Sequence, residues 1–432
     1  MATLQISGGQ VLLPDMTATR ADVLVDQDGG EIISVGDPGE LSAGDETLDA
    51  EGCLVIPGLV NAHGHAAMTL LRGYADDKPL GAWLREDIWP AEAELTAEDV
   101  RAGTELGILE MIKSGTTAFA DMYFEVAEIA AAVERSGMRA RIGHGIVTVG
   151  KDDEAARADV EESIAVAREF DGNAEGRINT AVMPHSLTTV SENCLALSVE
   201  GAREIGVPIH IHANETHEEV EPIVEERGIR PLEYADELGL LGEDTFLAHG
   251  IHLDDREISL LADSGTGVIH CPASNMKLAS GMAPVETVLD AGISVGIGTD
   301  GAASNNDLDL FDELRDAAMI GKLAADSAAA VPADRVVKMA TAGSAEAIGI
   351  DSGRIEQGAN ADLAVVDFKK PHLTPAHDPV SHLAYAVRGS DVRHTVCDGE
   401  VLMRDREVLT LEEKAVCETA ERRAMELVER AG

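Results

Sequence analysis

The chain has 432 residues, 45% of them hydrophobic, which is too long for one small core and suits one large barrel-type domain or two smaller ones. With 79 acidic against 33 basic residues its formal net charge is −46, a surface that repels nucleic acid and anionic membranes. No apolar run approaches the ~18 residues of a membrane span, and the five cysteines, scattered and never spaced Cys-x-x-Cys, argue against a disulfide framework and a cysteine zinc site.

The acids are spread along the chain (Glu161-Glu162, Glu218-Glu219-Val220-Glu221, Asp307 to Asp316) and do not form a tail. Such a surface suits molar salt, where the Debye length shrinks to ~3 Å and self-repulsion is screened. Met1-Ala2-Thr3-Leu4-Gln5 holds neither a basic region nor an apolar signal segment, so a reduced, high-salt cytoplasm is the expected compartment.

Residues 1–57 alternate short apolar stretches with turns, and Gly29-Gly30 reads as a hairpin between Ala21–Val25 and Glu31–Val35. From 58 to about 350, β-branched runs alternate with helical stretches such as Val100–Ser114 and Glu125–Ser136, the pattern of parallel βα units. Eight strands are predicted: Leu59–His63, Thr116–Asp121, Ala140–Val147, Ile178–Pro184, Pro208–Ala213, Thr245–His249, Gly267–Cys271 and Ser294–Asp300. This predicts an α/β fold, a (β/α)8 TIM-like barrel. A doubly wound sheet is the competitor, weakened because no G-x-G-x-x-G follows the first strand. Residues 351–432 return to the texture of the start, with a hairpin over His394–Leu402, and close in a helix from about Leu411. Both chain ends are therefore expected to build one small β-sandwich domain.

Barrel chemistry sits at the C-terminal ends of strands. In Pro57-Gly58-Leu59-Val60-Asn61-Ala62-His63-Gly64-His65, positions two apart on an extended strand share a face, so His63 and His65 can aim at one point. Strand four ends in His185, strand five in His212 with Glu215 just beyond, strand six in His249, and strand eight in Asp300. One such histidine is ordinary core; polar groups at five of eight mouth ends are hard to explain as packing. His63, His65, His212 and Asp300 make a set of three imidazoles and one carboxylate that Zn2+ or Fe2+ accepts. His210 shares the parity of His212 but lies deeper, behind the ligands or in the core. Strand four carries no lysine to bridge a second ion, so one divalent metal is expected.

These stretches, with His212-Ala213-Asn214-Glu215, Gly298-Thr299-Asp300-Gly301-Ala302-Ala303-Ser304-Asn305-Asn306, Met68-Thr69-Leu70-Leu71-Arg72-Gly73 and Pro272-Ala273-Ser274-Asn275-Met276-Lys277, resemble the amidohydrolase superfamily. Within it they are similar to the 5-methylthioadenosine/S-adenosylhomocysteine deaminases. The resemblance implies hydrolytic deamination at C6 of a 5'-modified adenosine, a small-molecule nucleoside partner, and a homo-oligomer as a common state of the family. It implies Asp300 as metal ligand and base, His249 as the group orienting water, and Glu215 as the acid toward the purine ring. Glu92 would accept from the ribose hydroxyls, His185 would meet the purine, and Trp83 and Trp89 flank the same segment. Some relatives hold a homocysteine carboxylate with an arginine on strand three. The matching residue here is His144, at most a weak cation, with Arg157 as a possible substitute. Methylthioadenosine and 5'-deoxyadenosine are thus expected to be handled at least as well as S-adenosylhomocysteine. A guanine-type free-base deaminase, a triazine chlorohydrolase-like enzyme and a non-catalytic scaffold remain the alternatives.

Overall fold

The computed structural model describes residues 2–432. Its centre is a ring of parallel strands wrapped by helices, a mixed α/β fold of TIM-barrel type. Leu59–Asn61 pairs with Thr116–Tyr123, which pairs with Arg139–Ile146, which pairs with Ile178–Thr180 and Met183–Pro184. Ile209–Ala213, Thr245–His249, Gly267–His270 and Val295–Ile297 follow in the same sense. Two short bridges, Val182 to Ile209 and Ser186 to His212, join strand four to strand five. Asp300–Gly301 pairs with Gly64–His65 and closes the ring. Every residue of Thr116–Tyr123 and Arg139–Ile146 is buried, as befits strands covered by side chains on one face and helices on the other.

Two expected strands are interrupted. Ile178–Pro184 breaks after Thr180, with Pro184 at its end unable to donate to a ladder. Ser294–Asp300 breaks after Ile297, where the chain must pass close to strand one. A Cβ on Gly298 would stand 2.7 Å from the carbonyl oxygen of His63, so only glycine allows that approach. Asn61 fastens the same junction: its Nδ2 donates to Thr299 Oγ1 (2.8 Å) and its Oδ1 accepts from Thr299 N (3.0 Å).

The chain ends pair into two further sheets. One runs Glu31–Gly36, Asp22–Asp26, Thr3–Ser7, Glu46–Asp49, and contains the hairpin around Gly29-Gly30. The other runs Glu407–Val408, Glu400–Arg404, Val392–Cys397, Leu363–Asp367, Cys53–Pro57, Gln10–Leu12, Ala18–Arg20. Ile6, Val23, Val55, Val365 and Val396 belong to one apolar core shared by both. Buried Arg139 on strand three ties this unit to the ring, reaching Asp362 at 3.1 Å and Asp398 at 2.9 Å. The closing helix, Glu413–Ala431, docks on helix Ala97–Lys113 through Arg423 (2.8 Å) and Arg430 (2.5 Å) on the fully buried Asp99. Pairing of this kind is how a strongly acidic chain keeps carboxylates inside. Among the described residues, no helix is long and apolar enough to cross a membrane.

Replacing Asn61 by Ala leaves the Thr299 amide unpaired in a dry place, at a cost of about 1–3 kcal/mol. Equilibrium denaturation in molar salt should show that loss, whereas an unchanged midpoint would mean the clasp contributes nothing to closure.

Candidate metal centre and substrate cavity

The ring's pairing delivers the strand ends to one rim. The ligating nitrogens of His63, His65 and His212 lie within 4.8 Å of one another. Asp300 Oδ1 stands 3.4 Å from His63 Nε2 and 3.2 Å from His65 Nε2. Three residues that finish these strands adopt left-handed backbone despite having side chains: Asn214 (φ 55°), His249 (φ 75°) and Asp300 (φ 60°). Such conformations cost about 1–3 kcal/mol each and persist only where the surroundings impose them. Asn214 is held by its amide, which donates to the His252 carbonyl (3.1 Å) and to buried Glu257 (3.0 Å).

The hydrogen-bond partners decide which ring nitrogens carry protons. His65 Nδ1 lies 2.6 Å from the Met122 carbonyl and His212 Nδ1 lies 2.7 Å from the His185 carbonyl. A carbonyl only accepts, so both rings donate from Nδ1 and turn a lone pair on Nε2 toward the shared point. His63 Nε2 is fully buried and has no hydrogen-bond partner. An orphaned buried acceptor amid two convergent imidazoles and a carboxylate fits a divalent cation better than any packing role.

Electrostatics agree. Burial pushes His63 and His185 down to about 4 and drives His212 well below its ordinary value, so these rings stay neutral. Burial also opposes charge on His65 and Asp300, but their contact prevails: His65 rises to about 9 and Asp300 sits well below the carboxylate range. Positive charge is therefore favoured between them, and a cation bound there displaces a proton. Asp300 Oδ2 is gripped by Ser274 Oγ (2.7 Å) and Ser304 Oγ (2.8 Å), which leaves Oδ1 for the centre.

Around this point opens a cavity of about 1250 Å³, above the ~300–1,000 Å³ typical of small-molecule sites and roomy enough for a nucleoside with an extension. Its wall includes Glu92, His185, Glu215, His249, Trp83 and Trp89. His249 donates through Nδ1 to Asn275 Oδ1 (3.0 Å), and its Nε2 is 3.6 Å from Glu215 Oε2. Burial raises the Glu215 and Glu92 carboxyls above their ordinary values. Glu92 accepts from the Tyr123 hydroxyl at 2.8 Å, which holds one oxygen and leaves the other to the cavity. His185 Nδ1 meets Thr189 Oγ1 at 2.9 Å.

His144 stands elsewhere. Its Nε2 faces Asp159 at 3.2 Å and its ring meets Phe124 edge-on (centroids 6.0 Å); Phe124 lines the cavity, and His144 is not among the lining residues. The side chain turns toward the helix Asp153–Phe170, where Asp159 offers a partner. Arg157 lies on the exposed face of that helix, outside the lining. The cation that does reach this end of the cavity is Lys151, already paired with Asp159 at 2.8 Å. Ser274, Ser304, Tyr123 and Glu219 were not read from the sequence as site residues. Both serines sit inside stretches that carry the family resemblance, whereas nothing local marks Tyr123.

Residues 54–402 match the Amidohydrolase family. The chain is 69% identical over 432 residues to 5-methylthioadenosine/S-adenosylhomocysteine deaminase of Haloarcula marismortui, covering 100% of both chains. It is 47% identical over 432 residues to 5'-deoxyadenosine deaminase of Methanosarcina mazei, covering 100% of this chain and 99% of that one. Among solved structures, an adenosine deaminase from Xanthomonas campestris with bound zinc superposes with a TM-score of 0.94 at 35% identity, over 99% of each chain.

Glu219 gives the site a measurable pH signature. It donates nothing and accepts from the Glu215 amide (2.9 Å), and burial raises it to about 7. Because its folded pKa exceeds the unfolded value, the unfolded chain loses this proton first. Stability from this group is thus present below about pH 4.5 and is lost as pH rises to about 7. Glu219→Gln should remove that slope, gaining up to about 3 kcal/mol over the parent at pH 8 and nothing at pH 4. Denaturation at both pH values in molar salt checks it, and identical slopes would contradict the assignment.

Proposed function

The chain belongs to the amidohydrolase family, and from that premise we propose that its cavity hydrolytically deaminates 5'-modified adenosines at C6, yielding the inosine analogue and ammonia. The observation that carries this reading is the convergence of His63, His65, His212 and Asp300 on one point beside buried Glu215 and Glu92. We take residues 58–350 as the hydrolase barrel, and 1–57 with 351–432 as a β-sandwich built from both chain ends. A high-salt cytosol is the compartment that suits its charge.

One Zn2+ held by those four side chains, with Fe2+ as the alternative, would supply a water acidified to a pKa of about 7. Asp300, fixed by Ser274 and Ser304, would take a proton from that water. His249, braced by Asn275, would orient it. Glu215, whose carboxyl burial keeps protonated more readily than usual, delivers its proton to N1 as C6 becomes tetrahedral. Asp300 passes the proton it took to the amine as the C6–N bond breaks, ammonia departs, and the proton of the new C6 hydroxyl restores Glu215 as the carbonyl forms. Glu92 accepts from the ribose hydroxyls through the oxygen that Tyr123 leaves free, and His185 meets the purine. General acid–base help of this kind is worth roughly 10²–10⁴-fold.

Lys151, the lining cation that shares Asp159 with His144, is already matched by that carboxylate and offers no free clamp for a carboxylate tail. Methylthioadenosine and 5'-deoxyadenosine should therefore show kcat/KM at least equal to that of S-adenosylhomocysteine. A strong preference for the last would contradict this account of the tail. Ammonia release from the three nucleosides in molar salt should vanish with a chelator and return with zinc. Glu92→Ala should lower kcat/KM on the order of 10²-fold, the worth of hydrogen bonds to a charged group at about 1.5–3 kcal/mol. A free-base deaminase would be indifferent to that change.

A further inference from the structure

His63 differs from the other two imidazoles at the centre in having no backbone carbonyl behind it. Its Nδ1 lies 2.8 Å from Nε2 of a fourth histidine, His210, which is fully buried on the same strand as His212. His210 stacks on Phe246 (centroids 4.1 Å, planes 14° apart), and its own Nδ1 lies 3.0 Å from the Phe246 carbonyl.

We propose that His210 is a positioning residue that relays the direction of a backbone carbonyl to His63 and so keeps the His63 Nε2 lone pair turned to the metal. The reasoning is a proton inventory. The Phe246 carbonyl can only accept, so His210 carries its hydrogen on Nδ1. A neutral imidazole has one such hydrogen, which leaves Nε2 of His210 as an acceptor. His63 must then donate from Nδ1, and its Nε2 is left without a hydrogen, facing Asp300 Oδ1 at 3.4 Å. The reverse assignment would set two lone pairs against each other between His210 Nδ1 and the carbonyl at 3.0 Å. Met122 and His185 supply carbonyls directly to His65 and His212, whereas strand five lends His63 an imidazole as the intermediate link. Partners behind ligating histidines typically change metal affinity 10–100-fold.

The inference concerns the metal centre and stands or falls independently of which nucleoside is deaminated. The parent protein, loaded with zinc and labelled with 15N-histidine, should show two residues with a protonated Nδ1 in a hydrogen-bonded chain, assigned to His63 and His210 by the spectrum of His210→Gln. A protonated Nε2 on His210 overturns the proposal without any variant having to fold. Competition with a chromogenic chelator then reads affinity. His210→Leu, which removes the acceptor, should weaken zinc binding 10–100-fold, while His210→Gln, whose side-chain oxygen still accepts from His63 Nδ1, should recover most of it. Equal affinity in parent, Leu and Gln variants would overturn the relay. A parent that binds no zinc at all would instead sink the proposed function.

Discussion

The structure depends on aiming lone pairs. Three histidines crowd one buried point, an arrangement that only a cation reconciles. Each is held so that its outward nitrogen is busy and its inward nitrogen is free. Asp300 then brings the single negative charge that makes a positive occupant favourable. Take away the carbonyls behind the rings and the same residues become neutral imidazoles of either tautomer, half of them presenting a hydrogen to the centre.

Ring closure matters for the same reason. Strand eight reaches strand one only because Gly298 yields room and Asn61 clasps Thr299, and that junction sets Asp300 against His63 and His65. The left-handed backbone at Asn214, His249 and Asp300 is local cost accepted at the rim, held in place by packing and by bonds such as those from Asn214. Stability elsewhere comes from ordinary sources: shared apolar cores, and buried acids such as Asp99 and Asp362 matched by arginines.

Much of this was legible in the chain itself, because the signals were local. Strand positions in the ring fell within two residues of those expected, since β-branched runs bounded by turns mark a buried parallel strand well. The breaks at Thr180 and Ile297 were not legible, because they arise where Val182 turns to pair with Ile209 of strand five and where strands one and eight, far apart in sequence, approach closely. Side-chain direction was legible for His63 and His65, only two positions apart. It was not legible in Arg139–Ile146, where both faces are buried and alternation carries no record of which side faces the cavity, so His144 entered through the resemblance alone. The link from Phe246 through His210 to His63 joins three strands, and no sequence window contains it.

The most direct test of the central claim is anomalous diffraction at the zinc edge from crystals of the zinc-loaded protein grown in high salt. One peak per chain, within bonding distance of His63 Nε2, His65 Nε2, His212 Nε2 and an oxygen of Asp300, is the predicted result. A peak elsewhere, or a centre in which one of these histidines turns Nδ1 to the ion, would contradict the account.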